Sequence, residues 1–182
     1  MAESSRQRIQ RALFSLLEEW PIESITVSEV TSRAGVSRTT YYRLYDSLES
    51  VINDALDELF SRVEPLVPRK DEKGNYDERL IELSVYQMLY CYKSEVELLC
   101  PLMHGSGGVI LYHRLFDFVH NLIKKYGSWP EQDTVNAMEQ IYVTAGMTAV
   151  IYQWVANNCE EPIEDMLKMI MRARMTSPFT QQ

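Results

Sequence analysis

The stretch that decides the fold is residues 25–52, which read ITVSEVTSRAGVSRTTYYRLYDSLESVI. Its second residue is Thr26, and Glu29 follows three residues later, which is the spacing of a capping box at the start of a helix. Gly35 comes after little more than two turns, and glycine readily adopts the left-handed conformation that a tight turn between helices needs. Ser37 then caps a second short helix. The stretch therefore predicts a helix-turn-helix.

Helical periodicity continues on both sides of this stretch. Before it, Pro21 ends one amphipathic helix whose apolar stripe consists of Ile9, Ala12, Leu13, Leu16, Leu17 and Trp20. After it, Asp46 with Glu49 at the third position predicts the cap of a longer fourth helix. Residues 64–75 are polar, contain two prolines and one glycine, and form the clearest linker.

Four more helical stretches are predicted beyond the linker, at about 77–101, 108–126, 131–158 and 162–174. No strand-like alternation of useful length occurs. The sequence therefore predicts an all-α protein. A three-helix unit with the helix-turn-helix takes residues 1–50, and a larger helical body takes residues 51–182.

Charge is distributed unevenly along the 182 residues, whose net charge is −8. Residues 1–45 carry six arginines against five acids, whereas the remainder carries 12 bases against 21 acids. A polyanion would be repelled by most of such a chain and tolerated at one end. Composition alone favours the alternative, an acidic soluble protein in which the arginines cluster by chance.

Several classes of protein are disfavoured by what the sequence lacks. No apolar run is long enough to span a bilayer, and the N-terminus MAESSRQRIQ lacks the apolar stretch of a signal peptide. Three cysteines form neither a disulfide framework nor a metal pattern, which indicates reduced thiols and a cytoplasmic protein. The G-x-S-x-G, H-E-x-x-H, S-x-x-K and dinucleotide-loop motifs are missing, so we expect no enzyme, no cofactor and no metal site.

Two further patterns have competing interpretations. Residues 104–108, HGSGG, precede a helix and could invite an anion to its N-terminus, but a flexible helix break is favoured because no P-loop ending follows. His113, Asp117 and His120 share one helix face and could hold a metal. Because the two histidines are about 10 Å apart along the axis, a solvated or pocket-lining face is favoured instead.

The second helix of the helix-turn-helix carries hydroxyls, arginines and aromatic rings from Ser37 to Arg43. Such groups at a helix N-terminus suit base edges and phosphates in a major groove. The alternative is a plain helical corner whose polar face is only solvated.

Residues 25–52 resemble the DNA-binding signature of the TetR family of bacterial transcriptional regulators. The matching features are Thr26, the turn Ala34-Gly35-Val36-Ser37, the aromatic Tyr42 and Tyr45, and Asp46-Ser47. The resemblance implies that Thr26 contacts phosphate at a helix N-terminus and that the second helix faces DNA. The DNA-binding residues it implies are Thr26, Ser37, Arg38, Thr39, Thr40, Tyr42 and Arg43.

Two residues depart from the family pattern. Leu44 stands where the family usually has histidine, and Leu48 stands where it has a lysine that contacts phosphate. Losing that lysine weakens the sequence-independent part of DNA binding, which extra contacts from Arg6, Arg8 or Arg43 could restore.

The C-terminal body resembles, more loosely, a subgroup that includes regulators of dihydroxyacetone kinase operons, through residues 99–103, 145–158 and 161–166. In the family the last two helices form a dimer interface, which implies contacts from Ala145, Ala149, Tyr152, Ile163, Leu167 and Ile170. Aromatic and methionine side chains could line an effector pocket, for which we select Tyr86, Tyr90, Met103, Tyr112, Phe116 and Tyr142. Intrachain core is the competing interpretation of both sets.

These observations predict a homodimeric regulator that binds a palindromic operator in double-stranded DNA. Repression is the favoured mode of action. It would respond to a small apolar or aromatic effector or to a co-regulator protein. The alternative is a helical interaction module, or a co-regulator-dependent activator, with weakened DNA binding.

Overall fold

The computed structural model describes residues 3–67, 77–126 and 134–176. Within these ranges the regular structure is helical throughout, which confirms the predicted all-α fold. Short 3-10 turns lie at Ile22–Ser24, Glu64–Leu66 and Cys100–Met103. The α-helices are α1 (Ser5–Leu17), α2 (Val27–Ala34), α3 (Arg38–Leu44), α4 (Leu48–Val63), α5 (Glu78–Ser94), α6 (Val96–Leu99), α7 (Gly107–Tyr126), α8 (Thr134–Ala156) and α9 (Ile163–Thr176).

The chain divides into two compact units. The first combines Met1–Leu59 with Glu97–Arg114, and the second combines Phe60–Val96 with Leu115–Gln182. The chain therefore passes between the units three times, within α4, within α6 and within α7. The predicted domain division after residue 50 stays a prediction.

The core of the first unit lies where α1, α2 and α3 pack together. A capping box between Ser4 and Gln7 opens α1. Its predicted apolar stripe is buried except at the last position, because α1 ends at Leu17 and the indole of Trp20 is 57% exposed. The assignment of Trp20 to this stripe was therefore wrong. The largest fully buried side chains here are Ile9, Leu13, Leu17, Tyr41, Ile52, Leu56, Leu59, Leu99 and Leu102.

The cap of α4 differs from the predicted one by a single residue. Since α4 begins at Leu48, the side chain in position to cap it is Ser47 rather than Asp46. The backbone N–H of Ser50 donates to Ser47 Oγ at 3.1 Å, and the N–H of Ser47 donates to Ser50 Oγ at 3.2 Å. This reciprocal pair satisfies two donors of the first turn.

The second unit buries aromatic and aliphatic side chains from α5, α7, α8 and α9. The rings of Phe60 and Phe118 stack with their centroids 4.4 Å apart. Trp154 is buried, and its Nε1 donates to the carbonyl oxygen of Glu161 at 3.1 Å. The predicted single helix over 77–101 is interrupted, because Glu95 takes a non-helical ψ of 19° that ends α5. Among the described helices, none has the length and apolar character to cross a membrane.

Candidate nucleic-acid interface

The turn between α2 and α3 has the geometry that the sequence predicts. Gly35 adopts φ 61° and ψ 39°, the left-handed conformation, and its N–H donates back to carbonyl oxygens of α2. At the other end of α2 the capping box is formed: the N–H of Glu29 donates to Thr26 Oγ1 at 3.3 Å, and the N–H of Thr26 donates to Glu29 Oε2 at 2.7 Å. Both ends of this short helix are therefore fixed by local hydrogen bonds.

Two tyrosines anchor α3 from its inner side. Tyr41 is fully buried and donates its hydroxyl to the carbonyl oxygen of Ser47 at 3.0 Å. Burial raises the pKa of Tyr41 to about 12. Tyr45, just past the last residue of α3, is also buried and donates to Asp54 Oδ2 at 2.6 Å. Burial and this hydrogen bond both raise the pKa of Tyr45.

The opposite side of α3 is open to solvent. Arg38, Thr39 and Arg43 are exposed, and Tyr42 is 59% exposed although its neighbour Tyr41 is buried. Leu44 is 41% exposed, so the residue that departs from the family pattern lies at the surface. The exposed face thus offers two cations, a hydroxyl and an aromatic ring.

Ser37 and Thr40, both predicted to face DNA, also hold the start of α3. Thr40 N–H donates to Ser37 Oγ at 3.1 Å, and the two hydroxyl oxygens are 2.9 Å apart. Ser37 is exposed, whereas Thr40 is half-buried. A contact of either hydroxyl with DNA would have to coexist with this cap.

Most arginines of residues 1–45 are engaged within the protein. Arg6 pairs with Asp54, Arg11 with Glu3 at 2.8 Å and Arg33 with Glu19 at 3.1 Å, while Arg8 donates to the carbonyl oxygen of Gly35 at 3.3 Å. Across residues 3–67, 77–126 and 134–176, neither Arg38 nor Arg43 has an ion-pair or hydrogen-bond partner. Two exposed arginines without a partner among these residues therefore lie on α3.

The hydroxyl of Thr26 is already hydrogen-bonded to a carboxylate of its own helix. Its hydroxyl donates to Glu29 Oε2 at 2.7 Å, and these hydrogen bonds from Thr26 lower the pKa of the Glu29 carboxyl. A carboxylate thus occupies the N-terminus of α2, where a phosphate contact was predicted. The phosphate contact of Thr26 stays a prediction.

The N-terminus of α7 receives an anion from the protein itself. Glu23 Oε1 accepts a hydrogen bond from the N–H of Ser106 at 2.6 Å, and its hydrogen bonds with Ser106 lower the pKa of the Glu23 carboxyl. Gly105 adopts φ +65°, and a Cβ there would lie 2.5 Å from Glu23 Oε2 and 2.9 Å from Pro21 Cβ. Residues 104–108 (HGSGG) therefore pack closely against Pro21 and Glu23, and the Glu23 carboxylate caps the N-terminus of α7.

The predicted effector-pocket residues differ in burial. Met103 and Tyr112 belong to the first unit and are half-buried. In the second unit Tyr86 and Phe116 are half-buried, whereas Tyr90 and Tyr142 are 61% and 69% exposed. Their role in effector binding stays a prediction.

The helix face with His113, Asp117 and His120 shows no metal arrangement. The ring of His120 stacks on Phe116 at 6.0 Å, and its Nδ1 lies 3.4 Å from Thr144 Oγ1. In the part of the chain that the structure describes, no three metal-ligating side chains come together.

The predicted interface residues on α8 and α9 have graded exposure. Ala149 is exposed, Ala145, Tyr152, Leu167 and Ile170 are half-buried, and Ile163 is buried in its own unit. Met138 and Ile141, which the sequence places on the same stripe of α8, are 62% and 45% exposed. Since α8 also has a buried apolar side, it is apolar all round rather than along a single stripe.

Comparison with known proteins gives one family match and one curated relative. A TetR family model for the transcriptional regulator C-terminal region matches residues 81–175. The uncharacterized HTH-type transcriptional regulator YxbF of Bacillus subtilis (strain 168) is 34% identical over 59 residues, which are 32% of this chain. The match covers only 16% of the length of YxbF.

Solved structures share the fold over nearly the whole chain. A TetR-family transcriptional regulator from Syntrophomonas wolfei has a TM-score of 0.66 at 16% identity, covering 94% of this chain and 93% of that one. The dihydroxyacetone kinase operon activator DhaS has a TM-score of 0.55 at 14% identity, covering 94% of each chain. Because the C-terminal family model spans more than half of the sequence, the chain belongs to the TetR family of transcriptional regulators, which are DNA-binding proteins and not enzymes.

Proposed function

We propose that this TetR-family regulator reads a palindromic operator as a homodimer, with α3 of each subunit in a major groove. The observation that carries the proposal is the two-sided character of α3. Tyr41 and Tyr45 fix its inner side, while Arg38, Tyr42 and Arg43 lie on its exposed side. Exposed cations suit phosphates and guanine edges, and an exposed phenol suits a phosphate or a base.

Binding-site selection tests this proposal directly. Duplexes enriched from a random pool by the wild-type protein should contain an inverted repeat, and Tyr42→Ala should lose affinity for them by at least tenfold. Trp20→Ala is the matched control, because Trp20 is an equally exposed aromatic residue of the same unit outside the predicted DNA-binding set. Failure of the wild type to enrich any sequence would refute the proposal, and so would an equal loss in the two variants.

The dimer is proposed to form through the exposed face of α8. Met138, Ile141 and Tyr142 leave apolar surface on this helix, and Ala149 continues the face. Gly146 is also exposed, and a Cβ added there would have no neighbour within 4 Å among the described residues. A second helix could therefore approach the α8 backbone closely at this position.

Sedimentation of Ala149→Glu tests the interface. A carboxylate introduced into an apolar helix pair has no partner, so we expect monomers. Gln87→Glu is the control, since it adds the same charge at an exposed position of α5 in the same unit. An intact dimer in Ala149→Glu would place the interface elsewhere.

An effector site in the second unit is proposed from its aromatic residues and from two unsatisfied hydroxyls. Tyr92 and Thr148 are buried, and neither hydroxyl has a hydrogen-bond partner among the described residues. Buried polar groups normally find a partner, so a polar group on an otherwise apolar or aromatic effector would suit them. Effector binding would then alter DNA affinity through α4, which contributes residues to both units.

The direction of regulation has two candidates. In the first, the protein represses transcription while it occupies the operator, and the effector releases it from the DNA. Activation with a co-regulator protein is the second candidate, which the shared fold with the activator DhaS favours. A reporter gene placed behind the selected operator separates them, because deleting the regulator raises expression in the first case and lowers it in the second.

A further inference from the structure

Asp54, on α4, accepts hydrogen bonds from three side chains of the first unit. Its Oδ2 atom lies 2.6 Å from Arg6 Nε, 3.0 Å from Gln10 Nε2 and 2.6 Å from the hydroxyl of Tyr45. Its Oδ1 atom accepts a further hydrogen bond from Arg6 Nη2, which makes the ion pair bidentate. The Asp54 side chain is 22% exposed, so its interactions are only partly screened by water.

The three donors come from α1 and from the end of α3, the helix proposed to face DNA. Arg6 and Gln10 lie on α1, and Tyr45 is the residue that ends α3. Because α3 has only seven residues, few contacts set its direction. Ser37 fixes its first turn, Tyr41 its middle and Tyr45 its end.

We propose that Asp54 is a positioning residue for operator reading: its carboxylate holds the end of α3 through the Tyr45 hydroxyl while binding Arg6 and Gln10 of α1. The inference rests on the proposed function, in which α3 enters the major groove. Asp54 touches no DNA in this arrangement. It acts by fixing where Arg38, Tyr42 and Arg43 stand relative to α1.

A positioning role differs from a purely structural or electrostatic role in what it changes. Base contacts require the side chains of α3 in register with the base edges, whereas phosphate contacts tolerate small displacements and carry no sequence information. Loosening α3 should therefore reduce the ratio of operator affinity to random-DNA affinity. It should leave random-DNA affinity and its salt dependence unchanged, because no phosphate contact is removed.

The test uses the full chain and two variants. Tyr45→Phe removes one hydroxyl and keeps the ring, the Asp54 charge and the Arg6 pair. Asp54→Asn removes the charge and weakens all the hydrogen bonds to it. The matched control is Asp57→Asn, which makes the same change one turn later on α4, where Asp57 pairs with Arg114 instead of with α1 or α3.

Affinities are measured for a duplex selected by the wild type and for a shuffled duplex of equal length, at several salt concentrations. Loss of a hydrogen bond to a charged acceptor should lower operator affinity roughly tenfold in Tyr45→Phe, and further in Asp54→Asn. Shuffled-duplex affinity should not fall in either variant. The control should stay within about twofold of the wild type for both duplexes. Urea unfolding and circular dichroism establish whether each variant is folded. If Asp54→Asn does not fold, the affinities of Tyr45→Phe decide the question.

Three results would overturn the inference: unchanged operator affinity in Tyr45→Phe, equal losses on the two duplexes, or an equal loss in Asp57→Asn. A wild-type protein that selects no duplex refutes the proposed function itself. A wild type that selects an operator, with variants that bind it equally well, refutes only the role of Asp54.

Discussion

At the residue scale, Gly35 and Gly105 share a left-handed backbone but have different surroundings. Apart from adjacent residues of the chain, a Cβ on Gly35 would have Arg8 Nη1 as its nearest neighbour, at 3.8 Å, whereas a Cβ on Gly105 would lie 2.5 Å from Glu23 Oε2. Gly35→Ala should therefore cost only the backbone strain, about 1–2 kcal/mol. Gly105→Ala should cost more than this, because the added Cβ would also displace Pro21 and move the Glu23 carboxylate away from the Ser106 N–H.

Urea unfolding of the two variants side by side measures this difference, with the wild type as the reference. Equal destabilisation would contradict the tight contact between Gly105 and Glu23.

Tyr41 makes the free energy of unfolding depend on pH in the alkaline range. Burial raises its pKa to about 12 in the folded protein, from the ordinary tyrosine value of 10.0. Between these values the unfolded chain releases the phenolic proton and the folded protein keeps it, so the free energy of unfolding falls as pH rises. The stabilising contribution is complete below pH 10 and is lost as pH approaches 12.

Urea midpoints at pH 8 and pH 11 check this expectation. Tyr41→Phe should lose less stability between the two pH values than the wild type, although it starts lower without the hydrogen bond to Ser47. Tyr90→Phe, altered at a tyrosine of the other unit that is 61% exposed, should keep the pH dependence of the wild type. An unchanged dependence in Tyr41→Phe would rule out this tyrosine as the source.

At the element scale, α8 contains a glycine that its own protomer does not need. Gly146 lies in the middle of the helix, is exposed and would accommodate a Cβ without contact. Gly146→Ala should stabilise a dilute monomer by about 0.5–1 kcal/mol through helix propensity. It should weaken dimerisation, since the added methyl group would separate two helices that approach at this point.

Sedimentation and urea unfolding over a range of concentrations separate the two effects. A variant more stable than the wild type at every concentration, with an unchanged dimer, would show that Gly146 lies outside the interface.

At the scale of the whole molecule, the residue at position 48 should influence how strongly DNA affinity depends on salt. This half-buried residue begins α4, where the family carries a phosphate-contacting lysine. Leu48→Lys should add one phosphate contact per subunit and steepen the slope of log K against log salt by about 2 per dimer. Affinity should rise for operator and random DNA alike.

Leu83→Lys is the control, because it adds the same charge on an exposed position of α5. Only Leu48→Lys should change the salt slope. Equal slopes in the two variants would mean that the start of α4 lies away from the DNA backbone.

The sequence predicts those parts of the molecule that depend on neighbours in the chain. The capping box of Thr26 and Glu29 and the turn at Gly35 are local, so their residue types are sufficient signals. The contacts of Asp54 and Glu23 are not local: Glu23 binds a backbone group 83 residues away. No periodicity encodes such pairs, so the sequence favoured a flexible helix break at residues 104–108 and gave no sign that Glu23 binds there.

The discontinuity of the first unit has a consequence for how the protein is made. Its first segment ends at Leu59, but the segment that completes it, with the N–H that Glu23 binds and the buried Leu102, ends only at Arg114. At typical rates of translation, roughly 3 to 11 s separate the synthesis of these two points. During that interval the nascent chain holds the helix-turn-helix without the residues that complete its unit, so its core forms only after Arg114 has been added.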